Sequence, residues 1–205
     1  MAGKAYKIPH HLQRLKTMII RGHYLSSACQ VASPNCDDRP DSDDISLLVI
    51  HCISLPPEQF AGDYIDDLFC NRLDPSAHPY FQDIYQLKVS SHLLIRRDGS
   101  IRQYVPFHRR AWHAGVSKYQ DRERCNDFSI GIELEGAISV AYTDIQYRRL
   151  ADVCRKLLED YPKLSSRRIV GHSDIAPGRK TDPGPYFDWH YFHKLLDSCA
   201  ANPSP

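Results

Sequence analysis

Between Phe128 and Gly171 the chain changes hydrophobic period twice, and this constrains its fold more than any other feature. FSIGIELE, residues 128–135, is a run of strand length. Thr143 and Gln146 then stand as a capping-box pair. Tyr147, Leu150, Cys154, Leu157, Leu158 and Tyr161 follow at helical spacing until Pro162 stops the helix, predicted over about 144–160. Arg168-Ile169-Val170-Gly171 is extended again. Strand, helix and strand in close succession predict a parallel pair joined by a right-handed crossover.

The other segments fill in one layer around this unit. SLLVIHCI, residues 46–53, is a continuous apolar run and predicts a buried strand. After Leu55-Pro56-Pro57, a helix is expected over about 57–70, with Phe60, Tyr64, Ile65, Leu68 and Phe69 on one face. The stretch NRLDPSAHPYFQDIYQL reads as loop. In VSSHLLIRRDGSIRQYV, residues 89–105, two extended runs flank Asp98-Gly99, a pair suited to the positive φ angles of a tight hairpin turn. Residues 106–127 are irregular and polar, and a last helix begins near Asp188 with Trp189, Phe192, Leu195 and Leu196. Residues 1–45 show little periodicity and end in the turn-rich SPNCDDRPDSDD. The fold class expected is α/β (mixed α+β): a single central mixed β-sheet flanked by helices.

At 205 residues the chain allows one ordinary domain. Its 26 basic and 25 acidic side chains leave a net charge of +1, so electrostatic capture of nucleic acid is a poor expectation. The N-terminus is basic but has no apolar run of the secretory kind, and no stretch reaches transmembrane length. Seven cysteines without a C-x-x-C pair suggest mostly free thiols in a reducing compartment, with Cys154 and Cys199 acting as small apolar residues in helices. A cytoplasmic protein is the expectation, with no nucleic-acid or membrane partner.

Three candidate site residues stand at or near strand ends. His51 closes LLVI, His172 closes RIVG, and Asp182 follows ten residues later in GRKTDPG. Residues at strand ends reach the sheet rim, where sites are commonly built. Two imidazoles and a carboxylate are ligands of the type zinc takes, and three protein ligands leave the open position of a catalytic rather than a structural site. No H-E-x-x-H helix is present, which excludes an ordinary zincin. The same residues fit hydrogen-bonded core histidines and an aspartate that starts the Pro183-Gly184 turn, and spacing alone leaves both readings open. Strand alternation puts Glu133 and Glu135 on one face. A buried carboxylate is costly unless it is paired or faces a site, so Glu133 would orient or deprotonate an attacking water; a solvated sheet edge is the alternative. Lys180 is placed to donate to an oxyanion, against the plainer reading of a surface charge.

LLVIHCISLPP, DPSAHPYF, VSSHLLIRRDGSIRQYVPF, RAWHAGVS, ERCNDFSIGIELEG, GHSDIAPGRKTDPG and FDW occur in this order. Together, from about Met18 to about Phe192, they resemble the zinc N-acetylmuramoyl-L-alanine amidases. The likeness is greatest to the bacterial cytoplasmic members that trim 1,6-anhydro-muropeptides during cell-wall recycling, and more distant to the animal peptidoglycan recognition proteins. The resemblance implies Zn2+ on His51, His172 and Asp182, with Glu133 acting on the water and Lys180 stabilising the tetrahedral intermediate. It further places Trp112 near the sugar, Arg124 near the stem-peptide carboxylates and Tyr80 beside the cleft, and it implies a small muropeptide as partner. Lys88 stands where a peptide-contacting Arg is usual and cannot reproduce an Arg fork on a carboxylate. Cys52 stands where Asn is usual and Gly178 where Glu is common, departures that bear on substrate preference. Residues 1–17 fall outside the resemblance, which makes them an N-terminal extension of a single amidase domain at 18–205. An amidase acting on intact peptidoglycan and a non-catalytic muropeptide-binding protein are the rival expectations.

Overall fold

The computed structural model of the chain describes residues 18–198. The expected extension at 1–17 and the expected helical role of Cys199 lie outside the described residues.

Six strands form the central sheet: β1 (Cys29–Gln30), β2 (Leu47–Ile53), β3 (Leu93–Ile95), β4 (Ile101–Gln103), β5 (Ser129–Glu135) and β6 (Ile169–Gly171). Their order is β6-β2-β5-β3-β4-β1. β2 runs parallel to both β6 and β5, and β5 parallel to β3. β3 and β4 are antiparallel and β1 is parallel to β4, so the sheet is mixed. Four helices accompany it: α1 (Tyr64–Phe69), α2 (Asp144–Asp160), α3 (His172–Ile175) and α4 (Trp189–Ser198).

β5 and β6 are parallel as expected but not adjacent, because β2 lies between them. Leu47, Leu48, Val49 and Ile50 of β2 are all fully buried, and only an interior position covers such a strand on both faces. Leu48, Ile50, Ile130, Ile132 and Leu134 pack with Leu150, Cys154 and Leu157 of α2 and Phe192 and Leu196 of α4. The opposite face carries Leu47 and Val49 against Ala114, Cys125, Phe128 and Ile175. Residues of even number on β5 therefore build the core, and residues of odd number (Ser129, Gly131, Glu133, Glu135) face the other way.

The capping box predicted for α2 is present. The Thr143 hydroxyl accepts from Gln146 N, and the Thr143 N–H donates to Gln146 Oε1 at 3.1 Å. Gln146 is buried, and its amide also donates to the Ile95 and Glu135 carbonyls, so one residue caps the helix and fastens it to the sheet. Thr143→Ala is expected to destabilise the fold by about 1 kcal/mol, measured by urea unfolding.

Three local expectations are revised. Helix α1 spans only Tyr64–Phe69, not 57–70. Glu58, Ala61 and Gly62 take positive φ, Ala61 N donates to Glu135 Oε1, and the Gly62 carbonyl accepts from Arg96. Buried side chains thus hold backbone groups that a helix would have used. The Asp98-Gly99 hairpin forms, but only Gly99 has positive φ, at 80°. Gly99 N donates to the Arg96 carbonyl and Asp98 Oδ1 accepts from Ser100 N, a three-residue loop rather than a two-residue one. Within the segment expected as loop, Pro79–Asp83 forms a 3-10 turn anchored by the fully buried Phe81.

The N-terminal region is tied into the domain by Arg39. Its buried guanidinium donates to the carbonyls of Asn126, Asp127, Phe107 and Ser129, pinning the irregular 106–127 segment beside β5.

Candidate active site

Strand register alone places the chemistry. Glu133 on β5 pairs with His51 on β2, and Gly171 on β6 pairs with Ile50. His172, the next residue, is therefore level with His51. His172, His51 and Glu133 form one row across three neighbouring parallel strands at their carboxyl ends, the edge where parallel sheets bind ligands.

Asp182 reaches this row from a loop fastened at two points. Its carbonyl accepts from Ser173 N at 2.9 Å, and the Pro183 carbonyl accepts from the Tyr142 hydroxyl at 2.8 Å. Gly171 and Gly136 make room: a Cβ would lie 2.7 Å from the Pro183 ring at the first and 2.7 Å from the Tyr142 ring at the second. Tyr142 was not anticipated, and Gly136 just past a strand end was its trace in the sequence.

His51 Nδ1 and His172 Nδ1 are 2.9 Å apart, and Asp182 Oδ2 lies 3.2 Å from the first and 3.1 Å from the second. Tetrahedral bonds of about 2.0–2.1 Å put ligand atoms about 3.3 Å apart, so one zinc ion fits against all three after a shift of a few tenths of an ångström. The donor set also suits it. The Nε2 of His172 faces the Ala114 carbonyl at 3.2 Å, which can only accept, so the Nδ1 lone pair points at the common centre. Burial works to raise the Asp182 carboxyl, but the adjoining His172 and His51 rings outweigh it and hold that carboxyl well below the usual carboxylate range. Burial brings the His51 imidazole down to about 4, keeping it neutral as a ligand must be.

The two glutamates of β5 differ in what they touch. Glu135 Oε1 accepts from Ala61 N at 2.8 Å, Oε2 accepts from Arg97 N at 2.9 Å, and the Arg96 guanidinium is 3.9 Å away. Glu133 is also buried, yet its Oε2 has no partner. Burial, reinforced by the Asp182 carboxylate, pushes the Glu133 pKa well above the usual range, with the Lys180 ammonium opposing. Neither residue lies on a solvated edge. Glu135 is a clamp for the loop before α1, whereas Glu133 is a buried carboxyl with an unpartnered oxygen. Glu135→Ala is expected to lower stability by about 1–3 kcal/mol, since two part-buried N–H groups lose their charged acceptor; thermal unfolding with zinc titration should show the loss without a change in metal affinity.

A cleft of about 480 Å3 opens over the row. His51, His172, Asp182, Glu133 and Lys180 line it together with Trp112, Tyr80, Leu55, Ile84 and Ile138. Seven of the nine residues singled out in the sequence thus meet at one cavity. The other two do not line it. Lys88 is exposed, and the exposed Arg124 has its guanidinium 3.2 Å from Asp127. His113 also lines the cleft and was not anticipated. Its Nδ1 is 2.9 Å from His51 Nε2. Its trace in the sequence was Gly131, a glycine inside an apolar strand, the mark of a close approach. Burial, then the neighbouring His51, His92 and His172, hold its pKa well below the usual histidine range.

The profile of the N-acetylmuramoyl-L-alanine amidase family matches residues 41–185. The chain is 58% identical over 179 residues to the 1,6-anhydro-N-acetylmuramyl-L-alanine amidase AmpD of Escherichia coli (strain K12), covering 87% of this chain and 97% of that protein. The crystal structure of a selenomethionine derivative of AmpD superposes with a TM-score of 0.85 at 58% identity, covering 87% of this chain and 99% of that one. The E. coli amidase AmiD, solved in complex with anhydro-N-acetylmuramic acid-L-Ala-D-γ-Glu-L-Lys, aligns with a TM-score of 0.53 at 28% identity over 87% of this chain and 65% of that one. With its fold, its strand-end residues and this likeness in agreement, the chain belongs to the N-acetylmuramoyl-L-alanine amidase family and, within it, to the AmpD-like enzymes.

Proposed function

We propose that this amidase uses zinc to hydrolyse the amide bond between the lactyl group of 1,6-anhydro-N-acetylmuramic acid and the L-alanine of the stem peptide, in the cytoplasmic recycling of peptidoglycan. The observation that carries the reading is the convergence of two imidazole nitrogens and one carboxylate oxygen in the cleft that Glu133 and Lys180 also line. The name of AmpD and the muropeptide bound to AmiD support the substrate class. The six described cysteines are free thiols, in keeping with a reducing compartment, and no described helix is long and apolar enough to cross a membrane.

His51, His172 and Asp182 would hold the zinc, which when bound supplies Lewis acidity: it lowers the pKa of water towards about 7 and polarises a carbonyl. Glu133 accepts the proton of the attacking water on its carboxylate. As the carbon–nitrogen bond breaks, it passes that proton to the alanine nitrogen, so the peptide leaves as a neutral amine. Lys180 donates to the oxygen that becomes anionic when the carbonyl is attacked. Trp112 and Tyr80 offer flat apolar walls to the sugar ring and its neighbours. Lys88 and Arg124 would meet stem-peptide carboxylates only where the peptide extends past the cleft wall.

Incubation of the zinc-loaded chain with anhydro-N-acetylmuramyl tripeptide, its non-anhydro counterpart and whole sacculi tests the proposal, with products identified by mass spectrometry. Free tripeptide and anhydro-N-acetylmuramic acid are expected, with the anhydro compound turned over faster than sacculi. Equal or faster turnover of sacculi would favour an enzyme of the intact wall. Binding without cleavage would favour a receptor.

A further inference from the structure

His172 and His51 are held in different ways. The Nε2 of His172 faces a backbone carbonyl, whereas the Nε2 of His51 faces the Nδ1 of another imidazole, that of His113. An imidazole nitrogen can donate or accept, so the direction of this bond has to be set further along. His113 Nε2 lies 3.1 Å from Ser129 Oγ, and Ser129 Oγ donates to the Cys125 carbonyl at 2.5 Å. A serine hydroxyl has one proton, and here it is committed to a carbonyl that can only accept. Ser129 Oγ must then accept from His113 Nε2–H, which leaves His113 Nδ1 bare towards His51.

We propose that His113 is the positioning residue of His51: its Nδ1 accepts the His51 Nε2 proton and so turns the His51 Nδ1 lone pair into the metal centre. The inference rests on the zinc reading of the site. The protein makes space for this ring at a cost to its central strand. A Cβ on Gly131 would come within 2.5 Å of His113 Cγ, so β5 gives up a side chain where the imidazole lies. The backbone around it is fixed as well, since Asn126 Oδ1 accepts from both His113 N and Ala114 N. One two-residue segment therefore serves both histidine ligands, through the His113 ring and through the Ala114 carbonyl. An outer partner of a metal-bound histidine is usually a carboxylate, carbonyl or water, and here a neutral imidazole tied to a serine takes that place.

The test compares the full-length wild-type chain with His113→Ala, His113→Asn and Ser129→Ala. Nitrogen-15 NMR of the metal-free wild type is expected to show His51 as the Nε2–H tautomer. Chelator competition is expected to show zinc affinity lowered about 10–100-fold in His113→Ala. His113→Asn, whose Oδ1 can accept from His51, should recover most of that loss, which a merely space-filling role would not predict. Ser129→Ala keeps the test open if His113→Ala does not fold, and is expected to weaken zinc binding while mixing the His51 tautomers. Wild-type zinc affinity in His113→Ala, or in Ser129→Ala with an unmixed tautomer, would overturn the proposal, as would a wild-type His51 protonated at Nδ1. A wild-type chain that bound no zinc would contradict the metal reading instead, while the His51 tautomer in that chain still decides the relay.

Discussion

Glu133→Gln is expected to lower kcat by about 10²–10⁴-fold, the usual worth of a positioned general base and acid, with zinc still bound. Glutamine keeps the shape and one acceptor oxygen of Glu133 but cannot take up or deliver a proton in the neutral range. The same change should not weaken the fold. In the metal-free protein the wild-type carboxyl is buried, has one oxygen without a partner and has its pKa raised, chiefly by desolvation. A group whose pKa is raised on folding contributes stability that is full below its unfolded pKa and is lost as pH rises through the folded value. The Glu133 contribution to the stability of the metal-free wild type should therefore be lost as pH climbs from the ordinary carboxylate range, and the difference in stability between wild type and Glu133→Gln should shift with pH accordingly. Steady-state kinetics, zinc content and urea unfolding at several pH values measure the three parts together. Undiminished turnover in Glu133→Gln would exclude its role in proton transfer, whatever its effect on stability.

Asp182→Ala and His172→Ala are expected to reduce hydrolysis to background and to release the metal, and chelation of the wild-type chain should do the same reversibly. The reason is geometric. The three ligand atoms form a triangle with edges of 2.9–3.2 Å, and two remaining ligands do not hold zinc in a catalytic site with the affinity of three. Lys180→Ala should separate from these, losing about 10²–10³-fold in kcat while retaining zinc, because Lys180 lines the cleft without joining the ligand triangle. Metal analysis beside activity distinguishes the two classes, and zinc loss from Lys180→Ala would move that residue into the metal's support.

What the sequence revealed and what it hid follow from the range of the interactions involved. β2, β5 and α2 were legible because their signals are local: apolar runs, a helical stripe and a capping box within four residues. The strand-end positions of His51 and His172 were legible for the same reason. Their convergence with Asp182 was not, since spacing alone fitted a turn equally well and only the likeness to a family tipped the reading. The loop at 57–63 was misread as helix because its backbone is held by Glu135 and Arg96, distant residues that no local propensity registers. The exchange in strand order had a similar origin, as β2 takes the place between β5 and β6 by virtue of burial on both faces. Tyr142 and His113 act through contacts across 41 and 62 residues of chain, and each left only a glycine as a sign.

Diffraction from crystals of the zinc-loaded chain, collected on both sides of the zinc absorption edge, tests the central claim most directly. The account predicts one anomalous peak at about 2.0–2.2 Å from His51 Nδ1, His172 Nδ1 and Asp182 Oδ2 alike. A fully loaded crystal with no peak among those three atoms, or with zinc held elsewhere, would contradict it.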